Sequence, residues 1–452
     1  MTTVLKPVLA SRPHPTCRHG HLRKSSPAST RAVARTLTLF VLLSAGPIAL
    51  GSSLADEIRA SRSETRTRNG RTSRSYAGEV TAILQHSRIR ADSAAVTAEE
   101  QAYHFYKNVQ FQDDRYTLFA DRLTFDSHTR ITRLSGGVRL ADEARTLSAR
   151  EVTYRQAAST VNAKGDVRIA LAGGGHVRAN RWFRSVSGDS SVGSGSVRYR
   201  NGENGTLTIE SPALTAYEGG DSLRFTNGSS LAQGAWASHS ASTTILRDAG
   251  RVELEGEPSL TRTGREAYTI RATASMAVLE LANEVLSVVN LLGSADLTVS
   301  RKESAATIQA DTCALKVDGD QVSLIEAQGN VRIHIGSNEA GKSSVNGGSS
   351  LISFKDGEPD HIRVDKEGSL LHASSDSSLV IDIDGYGLTL DLSGSDLKTV
   401  RIDSAGLCRL GGNQPTHLSG DRVFLLFEER KLVRAEIEGH VKGHVRESGV
   451  DR

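Results

Sequence analysis

Apolar and polar residues alternate with a period of two along most of the chain after about residue 80. The segment Ala163–Ile169 reads Ala-Lys-Gly-Asp-Val-Arg-Ile, and it returns at Ala327–Ile333 as Ala-Gln-Gly-Asn-Val-Arg-Ile. A looser copy occupies Gly136–Leu140. This period is that of a strand with one buried face. Each copy also carries a glycine, which we expect at a turn because glycine adopts positive φ without a Cβ penalty.

A second motif alternates with the first along the chain. It consists of a small residue, a polar residue that is often Asp, and then two apolar residues separated by one position. Successive copies in the first half of the chain, such as Ala120 and Ala149, lie 29 positions apart. Repeats of this length are typical of solenoids and stacked arrays, in which neighbouring units complete a core that one unit cannot bury alone. The copies are Ala120–Phe125, Ala149–Tyr154, Ala310–Leu315 and, more weakly, Gly420–Leu425.

The pattern predicts an all-β fold almost without helices. The stretch Ala272–Val289 is the one that could be read as a helix, and we interpret it as two strands around Ala282 and Asn283. With 42 glycines, 9 prolines and only 5% aromatic residues, the chain favours a thin, elongated core of Val, Leu and Ile. The turn glycines recur less regularly between Gly256 and Gly439.

Charge argues against a nucleic-acid partner. The net charge is +3, and much of the basic excess lies before residue 75. The rest of the chain is near neutral or acidic and has no basic patch interleaved with aromatic residues, a pattern typical of nucleic-acid binding.

The N-terminus has the features of an export signal. Arg31 and Arg35 precede an apolar run over 37–50, and Ser53-Leu54-Ala55 offers small residues to a signal peptidase. We therefore expect residues 1–55 to be a signal peptide that is cleaved before Asp56. An uncleaved inner-membrane anchor is the alternative, although the run is shorter than the roughly 20 residues that span a bilayer.

The remaining chain is expected to hold a linker and two repeat blocks. Residues 56–75 are rich in Arg, Ser and Thr and lack apolar periodicity, which predicts a flexible linker. A first β-repeat domain over 76–205 ends in a Gly/Ser-rich stretch, and a second spans 206–447. Whether these are two domains or one continuous stack stays open, because solenoid units add without a clear boundary.

Motifs with catalytic or ligand-binding meaning have better structural explanations. Residues 336–343 match the phosphate-loop expression, but the sequence that follows is a poor helix former, so we interpret the segment as a hairpin loop. Asp384-Gly385 is interpreted as a hairpin turn. Cys313 stands where other repeats carry an apolar residue, so we expect a small buried hydrophobe. We predict no catalytic residue, no metal site and no cofactor.

The two interleaved motifs resemble the OstA-like periplasmic proteins of lipopolysaccharide transport, the LptA family, and the N-terminal domain of the outer-membrane assembly protein LptD. The resemblance is clear over residues 80–170, fair over 305–335 and weak elsewhere. The residues that carry it are Ala120, Leu123, Phe125, Gly136, Val138, Leu140, Ala149, Val152, Tyr154, Ala163, Gly165, Val167 and Ile169, with Ala327, Gly329, Val331 and Ile333 in the second block.

The resemblance implies a fold and a cargo. The fold is a stacked, elongated, V-shaped β-jellyroll, a β-taco of repeated short strands, here as tandem OstA-like repeats. Its interior holds the acyl chains of lipopolysaccharide or a related glycolipid. The implied partners are other jellyroll components of the transport bridge, which dock through edge strands, and the outer-membrane assembly protein. The candidate groove-lining residues are Leu123, Phe125, Val138, Leu140, Val152, Tyr154, Val167, Ile169, Val331 and Ile333.

The sequence thus favours a periplasmic, non-enzymatic protein that shields lipid between the inner and outer membranes. For each lining residue, plain core packing is an equal alternative. Two other hypotheses remain open. One is a structural or adhesive β-solenoid without lipid cargo. The other is a carbohydrate-active β-helix enzyme, which requires clustered outward carboxylates, whereas the charges here are dispersed.

Overall fold

A computed structural model describes most of the chain from residue 57 onward. The described residues are 57–84, 87–97, 101–141, 145–171, 174–185, 188–201, 206–217, 220–263, 268–301, 304–319, 321–337, 341–375, 379–411 and 416–445. The expected signal peptide lies outside them.

The described residues contain 31 strands in one antiparallel sheet, and they contain no α-helix. The strands of the first half are β1 Glu57–Arg59, β2 Arg62–Arg68, β3 Arg71–Leu84, β4 Ser87–Thr97, β5 Ala102–Gln112, β6 Thr117–Asp126, β7 Ile131–Ala141, β8 Arg145–Arg155, β9 Thr160–Leu171, β10 His176–Ser185, β11 Ser190–Arg200, β12 Leu207–Tyr217, β13 Ser222–Thr226, β14 Ser229–Gln233, β15 Trp236–Ser240 and β16 Ser242–Leu246. Those of the second half are β17 Arg251–Glu255, β18 Ser259–Thr263, β19 Tyr268–Thr273, β20 Met276–Ala282, β21 Val285–Arg301, β22 Ser304–Asp318, β23 Gln321–Ser337, β24 Gly341–Lys355, β25 Glu358–Ala373, β26 Val380–Ser393, β27 Asp396–Gly411, β28 Thr416–Gly420, β29 Arg422–Glu428, β30 Lys431–Glu438 and β31 Lys442–Val445.

Each long strand is bent near its middle by a β-bulge. In β9 the register with both neighbouring strands shifts around Gly165 and Asp166, whose φ angles are +78° and +47°. A bulge adds a residue on one strand and turns the chain, and the positive φ at its first residue explains the glycine. The glycine of the first motif therefore marks a bend inside a strand. Our expectation of a turn at this position was wrong.

The bends divide the sheet into two walls that are joined along one line, which we call the vertex. Wall 1 contains 160–164 of β9 and the segments paired with it on either side, and wall 2 contains 167–171 and its own paired segments. The hairpin turns lie at the opposite ends of the strands, and we call these ends the margins. Between β12 and β21 the strands are shorter because the chain breaks at the vertex, but the pairing of both walls continues.

The two sequence motifs meet at the vertex. In β8, Ala149 is buried, Arg150 and Glu151 point outward, and Val152 is buried again, so the alternation slips by one position. Alanine suits this position because the walls converge there. The polar residue that follows packs against the glycine of the next strand, as Asp121 does against Gly136.

The core is one apolar layer between the walls, built from alternate residues of nearly every strand. The all-β, stacked architecture that the alternation predicted is confirmed. Strands β20 and β21, separated by Asn283 and Glu284, occupy the stretch that could be read as a helix. Among the described residues of the phosphate-loop match, β23 and β24 flank the loop as a hairpin.

Two further expectations differ from the structure. Residues 57–75 are not a linker, because β1, β2 and the start of β3 pair there in register. Strand β2 is exposed along its whole length, which explains why its sequence lacks apolar periodicity.

Asp384 and Gly385 lie at a bulge inside β26, and not at a hairpin turn. Close packing against Ile402 requires a glycine at position 385. The division at residue 205 stays a prediction, although β11 and β12 pair across it.

Candidate functional site

The ten predicted lining residues all lie on the inner faces of the walls. None is more than 4% exposed. Leu123, Phe125, Val152 and Tyr154 belong to wall 1, and Val138, Leu140, Val167, Ile169, Val331 and Ile333 belong to wall 2. The sequence grouped them as one lining, and the structure divides them between two facing surfaces.

The walls touch through aromatic side chains. The ring of Tyr154 in wall 1 lies 6.0 Å from that of Phe111 and 5.8 Å from that of Tyr116, both on wall 2. Tyr199 of wall 2 meets Phe225 of wall 1 at 6.0 Å. Edge-on and tilted rings at these distances attract one another beyond their area burial. In this structure the interior is therefore held closed by direct packing.

Polar contacts join the two margins. Each links a side chain of one wall to a polar group of the other, and they recur along the sheet. A single hydrogen bond of this kind contributes only about 1–3 kcal/mol net, so these contacts hold the margins together without sealing them permanently. They are Arg145 Nη1 to Ser191 Oγ at 3.0 Å, Gln233 Nε2 to the Glu284 carbonyl at 2.6 Å, and Arg301 Nη1 to the Asp356 carbonyl at 2.8 Å.

An opening of about 550 Å³ interrupts the margins in the middle of the chain. Wall 2 contributes Tyr199 and Leu207 to it, and wall 1 contributes Leu246, Leu281 and Glu284. Leu207 belongs to the apolar core and Leu281 packs against it, so among the described residues this opening lies beside the interior.

A larger depression, about 1010 Å³, lies on the outer face of wall 2. Arg139, Arg168 and Arg178 line it, and Phe119 in its lining is 46% exposed. Arg168 and Arg178 are both within ion-pair distance of Asp166, at 2.6 and 3.6 Å. Because these arginines point outward, the depression is distinct from the interior, which is the site that the sequence predicted.

One of the buried polar groups in the interior is a cluster around an arginine. Arg262 is 4% exposed, lies directly opposite Trp236 in the register, and places its guanidinium carbon 4.8 Å from the ring centre of Tyr268. Sequence reasoning missed this group. The available signal was an arginine at an inward position, two residues after the buried Leu260, where the period of two calls for an apolar side chain.

Burial also shifts the titration of several interior groups. It raises the pKa of the Cys313 thiol to about 12 and that of the Cys408 thiol to about 11. Both cysteines are at most 2% exposed, which confirms Cys313 as a small buried hydrophobe. Burial lowers the pKa of His372, which shares a hydrogen bond with Ser343 at 2.9 Å.

Within the described ranges, no group of three or more His, Cys, Asp or Glu side chains is placed to hold a metal ion. Nor does the described part of the chain contain a helix long and apolar enough to cross a membrane.

Comparison with known families gives one match. Residues 55–166 match the family model described as OstA-like protein. No curated protein matches the chain. The matched region runs from just before β1 into β9 and so includes several complete crossings of both walls. The motif repeats, the two-walled β fold and this match together identify residues 55–166 as an OstA-like domain.

Proposed function

We propose that this protein carries lipopolysaccharide or a related glycolipid through the periplasm, with the acyl chains enclosed between its two walls. The observation that supports this most is the continuous apolar layer on both inner faces, from the OstA-like domain to the last strands. OstA-like proteins are of a transport and binding type, and the site needs no catalytic group.

The energetics favour a lipid that replaces contacts between the walls. Each methylene moved from water to an apolar surface gains roughly 0.8 kcal/mol, so ten methylenes gain about 8 kcal/mol. This free-energy gain offsets the packing lost between the walls and the loss of a few hydrogen bonds that join the two margins. The opening beside Leu207 and Leu281 is where an acyl chain enters first. The protein only stabilises the lipid in transit, so the energy for movement must come from a partner. We propose that this partner is an inner-membrane transporter.

The two ends of the sheet suit docking with like folds. Among the described strands, β1 and β2 pair only with β3, while β30 pairs only with β29 and β31 only with β28. Such edges offer free backbone groups to a strand of another protein, and charged residues in β2 and β30 limit unspecific pairing. We propose that they contact other jellyroll components of the bridge and the outer-membrane assembly protein.

Site-specific photocrosslinking in a lipopolysaccharide-producing host tests this function. A benzoylphenylalanine replaces the inward Tyr154 or, as the matched control, its outward neighbour Thr153, and Phe125 with Thr124 forms a second pair. Mass spectrometry then identifies the crosslinked species. We expect glycolipid adducts at the inward positions only.

Absence of lipid at both inward positions, with none retained on purification, would favour the structural or adhesive β-solenoid. Equal crosslinking inside and outside would mean that lipid binds unspecifically to the surface.

A further inference from the structure

The buried cluster around Arg262 is made of hydrogen-bond donors that have no acceptor among the described residues. In the part of the chain that the structure describes, the buried atoms without a hydrogen-bond partner include Nε and Nη1 of Arg262, Nε1 of Trp236, Oγ of Ser238 and the hydroxyl of Tyr268. Trp236 and Ser238 lie on the inner face of β15, Arg262 faces Trp236 from β18, and Tyr268 begins the adjacent β19. The cluster therefore occupies three neighbouring strands of wall 2.

A guanidinium in such surroundings is costly to the fold. A buried charge is normally paired, and the contact of Arg262 with the face of Tyr268 replaces only part of the hydration that burial removes. A methionine or leucine would fill the same place without this cost. Arg262 carries two of these five donor atoms, Trp236 lies opposite it and the Tyr268 ring lies against it. Because the arginine is always charged, the cluster is complementary to an oxyanion.

The geometry points to a site at Arg262 for the phosphate or carboxylate head of a lipid whose acyl chain lies between the walls. This inference rests on the proposed function. The guanidinium donates from Nε and Nη1 to the oxyanion, and the indole and hydroxyl groups of Trp236 and Tyr268 satisfy its remaining oxygens. This arrangement lets one molecule be bound at its charged and its apolar parts.

The cluster lies within reach of the margin opening. Leu207, which lines the opening, faces Gln233, Gln233 faces Trp236, and Trp236 faces Arg262, each on the next strand of wall 2. Three strand spacings place Arg262 about 14 Å from Leu207. A head group that enters at the opening therefore moves along one row of four inward residues, three of which carry hydrogen-bond donors.

Isothermal titration calorimetry of the purified chain with three probes tests the site. Dodecyl phosphate carries both parts of the ligand, dodecanol carries only the chain, and inorganic phosphate carries only the anion. The variants are Arg262→Met and, as a matched control, Arg271→Met, which removes an exposed arginine from the outer face of β19. A Trp182→Phe background leaves Trp236 as the only tryptophan, so its fluorescence reports contact at the indole.

We expect the unmodified chain and Arg271→Met to bind dodecyl phosphate far more tightly than dodecanol. Arg262→Met should weaken dodecyl phosphate binding roughly 10- to 100-fold, the factor for losing hydrogen bonds to a charged group, and leave dodecanol binding unchanged. Trp236 emission should shift with dodecyl phosphate only. The melting temperature of Arg262→Met should equal or exceed that of the unmodified chain, because the variant removes a buried charge for which the described residues provide no counter-charge.

Equal affinity for dodecyl phosphate and dodecanol, or an unchanged affinity of Arg262→Met for dodecyl phosphate, would overturn the head-group site. In either case, binding of dodecanol would still support the proposed lipid carriage. Failure of both amphiphiles to bind overturns both. Inorganic phosphate binding as tightly as dodecyl phosphate would make this a site for the free anion and would overturn its assignment to a lipid head.

Discussion

The contact between Gly329 and Asp311 gives the sharpest test of how the vertex is built. Gly329 has a φ of +74°, and a methyl group placed on it would overlap the Asp311 carboxylate of the neighbouring strand. Asp311 in turn accepts a hydrogen bond from Nδ2 of Asn330 at 3.2 Å. A Gly329→Ala substitution therefore introduces both backbone strain and a steric clash.

The two costs can be separated with a control glycine. An L-residue in the left-handed region costs about 1–2 kcal/mol, and overpacking costs about 1–3 kcal/mol more, so Gly329→Ala should destabilise by roughly 2–5 kcal/mol. Gly319 has a φ of +58° and open space around it, so Gly319→Ala should cost only the first amount, about 1–2 kcal/mol. Asp311→Gly should rescue Gly329→Ala by the steric part, about 1–3 kcal/mol, in a double-mutant cycle.

Hydrogen exchange measured by mass spectrometry on peptides from β22 and β23 is the suitable assay. Stability in a stacked repeat is nearly a sum of local terms, so a local opening free energy is more informative than a global melting temperature. Equal effects of the two glycine substitutions, or no rescue by Asp311→Gly, would refute the steric account of the vertex.

Two further predictions concern buried titratable groups. Because burial raises the thiol pKa values, Cys313 and Cys408 should react with iodoacetamide at pH 8 only after denaturation, and rapid labelling of the native chain would contradict their burial. His372 has a lowered pKa in the fold, so the unfolded chain binds more protons between that value and 6.5, and the free energy of unfolding should fall as the pH drops through this window. Measured by urea titration, this fall should be smaller in His372→Phe and unchanged in the control His334→Phe, whose side chain is exposed.

The strand pattern was predictable because it depends on local sequence. An alternation with a period of two shows which side chains share a face of the strand. The structure places all ten predicted lining residues on the inner faces. The bend was not predictable in the same way. A glycine with positive φ serves a hairpin turn and a β-bulge equally well, and only the partner strand decides between them. The continued alternation on both sides of Gly165 was the available hint.

Two other features needed three-dimensional information. Strand β2 has the composition of a linker, and its order comes from backbone pairing with β3, which leaves no apolar signature. The role of Arg262 depends on Trp236 and Tyr268 on two other strands, and on the absence of an acceptor among the described residues around it. Sequence could have shown an arginine at an inward position, but not that its donors lack partners.

The irregular repeat length of the second half has a structural explanation. One repeat is a pair of crossings, so its length is set by the height of the walls. Strands β4 to β11 contain 10 to 12 residues, whereas β21 to β27 contain 14 to 17. About two additional residues on each wall add roughly 6–7 Å of depth at 3.3 Å per residue. The interior is therefore deeper from β21 to β27 than it is from β4 to β11.

The proposed head-group site lies just before this change. Arg262 is on β18, and the first of the long strands, β21, pairs with β19 next to it. Strands β21 to β23 bury five or six apolar side chains each, against three to five in each of β4 to β9, so acyl chains gain most by extending in that direction. A lipid held by its anion at Arg262 would thus have its chains in the deepest part of the interior. We expect inward crosslinkers in β23, at Ile333, to capture more lipid than those in β8, at Tyr154. The opposite order would contradict this link between wall height and cargo position.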